Sequence, residues 1–232
     1  MKHIAILLTT ILVAQFLAAE EPIRERIEWI DIWVTDANKD DLPRVLLVGD
    51  SITRGYFGGT EKLLAGKASC ARLTTSKCVS APTFNDDLQL LLKQYNFSVI
   101  HFNNGLHGWG YTEEQYREGL AKTVAAVKKH AADAKFIWAT TTPVRDRSDL
   151  QKFGDRTARV KERNLIAAEI MKEHGISTND LFGLVEEDPD WYSGDGTHFN
   201  GKGKVAQAKQ VAESVMKCLP VSVSRAGESN GM

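Results

Sequence analysis

Short apolar runs alternate with longer amphipathic stretches through most of the 232-residue chain. A short apolar run bounded by polar residues is typical of a buried strand, and apolar residues recurring every three or four positions are typical of a helix. The runs predict strands at 44–48, 77–80, 97–102, 134–140 and 176–181. The amphipathic stretches predict helices at 86–95, 112–132, 156–174 and 201–219.

This alternation decides the fold class. Strands separated by helices of this length pair in parallel through right-handed crossovers. We therefore expect a three-layer α/β/α sandwich around a mostly parallel five-stranded sheet. Ligands of such sheets bind beyond the carboxyl ends of the strands, so residues that follow strands are the candidates for chemistry. Three such places are Ser51, the segment 103–107 and the segment 140–143.

The N-terminus departs from this pattern. Lys2 precedes an uncharged apolar run that ends at Ala19, before the polar boundary at Glu20. These features predict a secretory signal peptide over 1–19, cleaved after Ala19 or after Ala18. An uncleaved anchor is the alternative, although the run is short for spanning a bilayer. We expect a secreted or periplasmic protein with no stable membrane anchor.

The rest of the chain predicts one domain with additions at both ends. Residues 20–43 are charged and contain tryptophans, and we expect them to form a helix or an arm packed on the domain. The domain itself covers 44–219, a length that suits a single core. The polar tail, 220–232, is expected to fray.

Composition narrows the possible partners. The hydrophobic share of 43% and the charged share of 25% are ordinary for a globular protein. A formal net charge of −1 gives no electrostatic reason to expect a nucleic acid or an anionic membrane as partner. For the three cysteines, a Cys70–Cys78 disulfide with Cys218 left over and buried free thiols remain open alternatives.

Two short motifs far apart in the chain carry the candidate chemistry. Gly49-Asp50-Ser51 follows the first predicted strand, and Asp195-Gly196-Thr197-His198 lies near the end of the domain. A serine is a weak nucleophile unless an imidazole takes its proton and a carboxylate orients that imidazole. The two motifs therefore predict a catalytic triad of Ser51, His198 and Asp195.

These motifs resemble those of the SGNH (GDSL-type) hydrolase family, whose serine lies in a Gly-Asp-Ser block and whose last block reads Asp-x-x-His. The resemblance extends from about residue 44 to the last predicted helix. It implies a flavodoxin-like α/β/α fold and an acyl-enzyme mechanism that needs no metal or organic cofactor. It also implies an ester substrate, which can be an acylated carbohydrate, a lysophospholipid or a thioester.

The resemblance further implies donors for the oxyanion of the tetrahedral intermediate. In the family these are the amide of the serine (Ser51 here), a glycine amide from a second block and an asparagine from a Gly-x-Asn-Asp block. Aligning Gly105 with that glycine places His107 at the asparagine position, and an imidazole N–H can donate. Asn104 is the alternative donor. The second block lacks its glycine, and the backbone N–H of Ser80 is the expected substitute.

We therefore expect a secreted serine esterase acting on small-molecule or polysaccharide esters. Trp109, beside the third block, is a candidate for stacking on a sugar ring, and export favours carbohydrate acyl esters. A lysophospholipase or thioesterase of the same fold is an alternative. A non-catalytic carbohydrate-binding module is another, because two oxyanion residues of the family are replaced. In a third alternative, Asp195, His198 and His107 bind a metal.

Overall fold

The computed structural model describes residues 22–220. The predicted signal peptide, 1–19, and all but the first residue of the predicted tail, 220–232, lie outside the described residues. The strands are β1 (Ile30–Val34), β2 (Arg44–Gly49), β3 (Ser69–Thr75), β4 (Val99–Phe102), β5 (Lys135–Ala139), β6 (Arg145–Asp146), β7 (Asp149–Phe153) and β8 (Ser177–Asn179). The helices are α1 (Ser51–Leu63), α2 (Phe84–Gln94), α3 (Glu113–His130), α4 (Arg156–Glu173), α5 (Leu181–Val185) and α6 (Gly201–Met216).

Six strands form the central sheet in the order β1-β3-β2-β4-β5-β8. The five strands from β3 to β8 pair in parallel, and β1 adds to the edge of β3 in the antiparallel direction. One apolar cluster packs α2, α3 and α4 on one face, and a second packs α1, α5 and α6 on the other. The predicted α/β fold with a mostly parallel sheet is confirmed.

Two details of the predicted sheet are wrong. The sheet has six strands rather than five, because part of the predicted N-terminal arm forms β1. The second parallel strand along the chain is β3, which covers Ser69–Thr75. The strand predicted at 77–80 does not form. The buried serine and threonines of β3 conceal it from a hydropathy pattern. The apolar Val79 lies instead in a loop against Gly119 of α3, where a Cβ would overlap the carbonyl of Val79.

Strand β2 lies at the centre of the sheet and is buried along its whole length. It delivers its last residue to the carboxyl edge, where β4 and β5 also end. Helix α1 starts directly there, although its glycines hide it from a propensity pattern. One of these, Gly59, lets α6 pack closely, since a Cβ would lie 2.8 Å from Ala208 Cβ.

The three cysteines are free thiols. Cys70 at the start of β3 belongs to the core on one face of the sheet, and Cys78 beyond its end belongs to the core on the other. A disulfide between them would have to cross the sheet, so the alternative of free thiols holds. Within residues 22–220, no helix has the length and apolar character needed to cross a membrane.

Candidate active site

Ser51 is the first residue of α1 and is separated from β2 by Asp50 alone. The turn between strand and helix is tight, because a Cβ on Gly49 would overlap the side chain of Thr53. Asp50 caps the helix, and its carboxylate accepts a hydrogen bond of 2.8 Å from the backbone N–H of Ile52. The backbone N–H of Ser51 belongs to the first helical turn, whose N–H groups have no partner within a helix.

Asp195 and His198 lie on a short hairpin before α6. The backbone N–H of Ser193 donates to the carbonyl of His198 at 2.7 Å and closes the hairpin. Gly196 has a φ of +71°, and a Cβ there would overlap the carbonyl of Arg145. The backbone N–H of Arg145 donates to the carbonyl of Gly196 at 2.7 Å, so strand β6 fixes the hairpin from behind.

A chain of hydrogen bonds joins Ser51, His198 and Asp195. Ser51 Oγ lies 2.8 Å from His198 Nε2, and His198 Nδ1 lies 2.6 Å from Asp195 Oδ2. Burial alone would raise the pKa of Asp195, but hydrogen bonds from the His198 side chain and from the backbone of His198 and Thr197 lower it to about 2. The ionised carboxylate accepts a hydrogen bond from Nδ1–H of His198, so the lone pair of Nε2 faces the serine.

Two cavities meet at this triad. The larger one, of about 480 Å³, is lined by Ser51, Asp195, His198, His107 and Trp109, among others. The smaller one, of about 250 Å³, lies on the other side of Ser51. A substrate carbonyl placed at Ser51 therefore has room on both sides for the acyl and the alcohol parts of an ester.

His107 enters the larger cavity from the loop after β4, and its ring is held by a carboxylate. His107 Nδ1 lies 2.9 Å from Glu25 Oε2, and Glu25 Oε1 accepts a hydrogen bond of 2.8 Å from the backbone N–H of Gly108. Glu25 belongs to the N-terminal segment and was not singled out from the sequence. Glu25 and His107 are 82 positions apart, so no local sequence pattern indicates their contact.

Two arginines of α4 fix the same loop from below. Arg163 is fully buried, and its guanidinium donates to three carbonyl oxygens, those of Gly105, His107 and Gly108. Arg159 donates to the carbonyls of Trp109 and Tyr111, each at 2.8 Å. Both arginines pair with Glu113 at the start of α3. The loop that carries His107 is thus anchored by charge-assisted hydrogen bonds.

The family follows from comparison of the whole domain. Residues 47–206 match the GDSL-like lipase/acylhydrolase family. The chain belongs to this family. The resemblance of its blocks to SGNH (GDSL-type) hydrolases is confirmed, and the protein is an enzyme that acts on ester bonds.

Solved structures with the GDSL-like fold resemble the chain at low sequence identity. A carbohydrate acetylesterase of Sinorhizobium meliloti has a TM-score of 0.63 and 15% identity, covering 75% of this chain and 99% of its own. An aryl esterase of M. smegmatis has a TM-score of 0.63 and 16% identity, covering 76% and 100%. A family 3 carbohydrate esterase of Talaromyces cellulolyticus has 0.60 and 13%, covering 75% and 97%. A sequence search of curated proteins finds no match.

Two expected donors of the GDSL-like oxyanion hole lie against other parts of the chain. The side chain of Asn104 is buried, where its Oδ1 accepts from the N–H of Val79 and its Nδ2 donates to the carbonyl of Lys77, both at 3.0 Å. The backbone nitrogen of Ser80 lies against Gly119 of α3, where a Cβ would approach it to 2.8 Å. Asn104 therefore ties two loops together, and its expected donor role is corrected; the expected donor role of the Ser80 N–H stays a prediction.

Trp109 lies where the sequence places it, at the wall of the larger cavity. The guanidinium of Arg156 lies 4.9 Å from the centre of its ring, and that of Arg163 lies 4.8 Å from it. Contact between Trp109 and a substrate stays a prediction. Within residues 22–220, no group of three or more His, Cys, Asp or Glu residues is arranged to hold a metal ion.

Proposed function

We propose that this enzyme is an exported serine esterase that removes acyl groups from carbohydrates through an acyl-enzyme intermediate. The observation that carries the mechanism is the continuous hydrogen-bond chain from Ser51 through His198 to Asp195 at the meeting point of two cavities. In this mechanism Ser51 is the nucleophile, His198 is the general base, and Asp195 orients His198.

In the first half of the reaction, Ser51 Oγ attacks the ester carbonyl while His198 Nε2 takes the hydroxyl proton. The carbonyl oxygen becomes an oxyanion that accepts hydrogen bonds from the Ser51 backbone N–H and from His107. The bond to the alcohol then breaks, and His198 gives the proton to the departing alcohol oxygen. The acyl group remains on Ser51.

In the second half, water replaces the alcohol. His198 takes a proton from the water as its oxygen attacks the acyl carbonyl. The second tetrahedral intermediate collapses, the acid leaves, and the proton returns to Ser51 Oγ. Asp195 stays ionised throughout and stabilises the imidazolium formed in each half.

Two features favour acylated carbohydrate as the substrate. Trp109 lines the cavity beside the triad and offers an aromatic ring to a sugar. Two of the structural neighbours are named as carbohydrate esterases. Because the likeness to them is in fold alone, the substrate must be tested directly.

The test is a panel of esters assayed with the wild type and Ser51→Ala. The panel runs from p-nitrophenyl acetate to octanoate and includes acetylated xylan, acetylated pectin and a lysophospholipid. We expect the highest kcat/KM on acetylated carbohydrate, with Ser51→Ala inactive throughout. A higher kcat/KM on the lysophospholipid or on octanoate would contradict the carbohydrate assignment and favour a lipase-type function.

Trp109→Ala tests the sugar contact itself. We expect a raised KM for acetylated xylan and an unchanged KM for p-nitrophenyl acetate, because the small ester has no sugar ring for the indole to contact. Trp33→Ala is the matched control, since Trp33 is 56% exposed on edge strand β1. Equal effects of Trp109→Ala on both substrates would reject a role in sugar binding.

Export is the remaining part of the proposal. It is supported by the basic start and the apolar run that ends at Ala19. Mass spectrometry of protein recovered from its native host should find an N-terminus at Glu20 or within two residues of it. Intact residues 1–19 on cytoplasmic protein would contradict export.

A further inference from the structure

The contact between Glu25 and His107 restricts the hydrogen bonds that His107 can make. An ionised carboxylate only accepts hydrogen bonds, so Nδ1 of His107 must carry a proton to bond to Glu25 Oε2. Nε2 is then the ring nitrogen available to a substrate. In the neutral ring Nε2 holds a lone pair and cannot donate. It becomes a donor only when the ring carries both protons as an imidazolium.

We propose that Glu25 is a positioning residue of the oxyanion hole: it fixes the His107 ring through Nδ1–H, and the doubly protonated ring then donates its Nε2–H to the oxyanion. This inference rests on the proposed esterase mechanism and extends it to a residue outside the three family blocks. The two active-site histidines then have opposite requirements. His198 must be neutral to take a proton from Ser51, and His107 must be charged to donate.

The segment that carries Glu25 is fixed on both sides of it. The backbone N–H of Ile23 donates to the hydroxyl of Tyr111 at 3.0 Å, and the side chain of Ile23 occupies the space that a Cβ on Gly110 would need. At the other end, the backbone N–H of Trp29 donates to the hydroxyl of Ser76, just beyond β3, and the backbone N–H of Ser76 donates to the carbonyl of Trp29. Contacts on both sides of Glu25 therefore hold it at the cavity wall.

Several charged groups surround His107. The buried carboxyl of Asp50, whose pKa is raised by burial, lies close enough to interact with the charge of His107. The guanidinium of Arg163 donates to the carbonyl of His107 from below. Other charged or titratable residues share the cavity wall, namely Arg24, Arg26, Arg156, Asp195 and His198. Of all these groups, Glu25 is the one that forms a hydrogen bond with the ring.

Replacing Glu25 by glutamine separates this role from a structural one. A glutamine can accept the N–H of Gly108 with its oxygen and donate its own N–H to Nδ1 of His107. The neutral ring then carries its proton on Nε2 and donates at any pH. We therefore expect kcat of the wild type to decline at alkaline pH, and we expect Glu25→Gln to keep activity near neutral pH without that decline.

Glu25→Ala removes both contacts at once. We expect its kcat to fall by at least about tenfold, and by no more than the 10²–10³-fold that removing a whole oxyanion donor costs. KM should change little, because the hydrogen bond strengthens as charge develops in the transition state. Glu28→Gln is the matched control, since Glu28 lies in the same segment, pairs with Arg24, and as glutamine keeps the oxygen that accepts from the backbone N–H of Glu25. It should retain the wild-type pH profile.

The decisive experiment records kcat against pH for the wild type, Glu25→Gln, Glu25→Ala and His107→Asn. An alkaline decline in the wild type that is absent from Glu25→Gln and His107→Asn supports the proposal. The same decline in Glu25→Gln as in the wild type, or an unchanged kcat in Glu25→Ala, overturns it.

A titration of the His107 ring nitrogens by ¹⁵N NMR gives an answer that does not depend on activity. The wild type should pass from two ring N–H groups to Nδ1–H alone as pH rises, and Glu25→Gln should end with Nε2–H. Identical end states in the two proteins overturn the proposal. If Ser51→Ala were as active as the wild type, the esterase mechanism would fail, while this titration would still decide the Glu25–His107 pairing.

Discussion

The guanidinium of Arg163, inside helix α4, donates a hydrogen bond of 2.7 Å to the carbonyl oxygen of His107. A buried cation thus sets the position of a residue at the cavity wall from the opposite side of its loop. Arg163 also donates to the carbonyls on either side and pairs with Glu113. The oxyanion side of the active site therefore depends on a charge cluster in the core.

Arg163→Met should damage both stability and catalysis. Methionine fills part of the volume but leaves the three loop carbonyls without their donor and leaves Glu113 paired with Arg159 alone. Breaking a buried pair in this way costs about 3–5 kcal/mol of unfolding free energy. We expect urea unfolding to show this loss and kcat to fall as the His107 loop loosens.

Arg117→Met is the control for this substitution. Arg117 pairs with Glu169 between the same two helices, but both side chains are substantially exposed. Exposed pairs contribute about 0–1 kcal/mol, so the control should unfold near the wild type. An equal loss of stability in the two variants would show that the buried cluster has no special role.

His107 and Asn104 should respond to substitution in different ways. We expect His107→Asn to retain much of the activity, because an amide restores a donor of similar reach. His107→Ala should lose on the order of 100–1000-fold in kcat with a smaller change in KM.

Asn104→Ala should act on stability instead. Loss of the Asn104 side-chain amide leaves the backbone N–H of Val79 and the carbonyl of Lys77 without their partners. Unsatisfied buried groups cost about 1–3 kcal/mol each. A severe loss of kcat in Asn104→Ala, beside a mild one in His107→Ala, would show that Asn104 is the oxyanion donor after all.

His101 should make the fold sensitive to acid. It lies within β4, fully buried, with Nε2 accepting a hydrogen bond of 2.9 Å from Asn179. Burial lowers the pKa of His101 to about 3. The unfolded chain binds a proton near pH 6.5, so the unfolded state holds more protons between the two values. The contribution of neutral His101 to the unfolding free energy is complete above about pH 6.5. It is lost as pH falls below that value, at about 1.4 kcal/mol per pH unit.

Urea unfolding of the wild type and His101→Gln from pH 7 down to pH 4.5 measures this effect. Glutamine keeps a neutral partner for Asn179 and cannot titrate. The lowered pKa of Asp195 acts in the same direction, but only below about pH 4, the usual value for an unfolded aspartate. The unfolding free energy should therefore fall less steeply with falling pH in His101→Gln, by the contribution of about one proton. Parallel curves of unfolding free energy against pH would contradict a buried neutral His101.

The two catalytic motifs could be predicted because chemistry confines them to few positions. A serine after a buried strand and an Asp-x-x-His pair near the last helix converge once the strands are parallel, since their carboxyl ends share one edge. Strand β1 and helix α1 could not be predicted in the same way. The outward face of β1 is exposed, and the glycines of α1 weaken its helical pattern.

The supporting residues were missed for a different reason. Glu25 and His107 are 82 positions apart, and Arg163 and His107 are 56 apart. Such contacts follow from the packing of the N-terminal segment and of α4 against one loop, and no local pattern encodes them. Asn104 was given a chemical role because an asparagine beside a catalytic loop has the same appearance in a sequence whether it binds an oxyanion or a backbone.

The hydrolysis of p-nitrophenyl acetate by Ser51→Ala tests the central claim most directly. Ser51 is only partly buried and contacts His198 through its hydroxyl, so alanine should leave the fold unchanged. We expect kcat to fall by at least about three orders of magnitude, as the loss of a nucleophile does in other triads. Turnover near the wild-type rate in a clean preparation would contradict nucleophilic catalysis by Ser51.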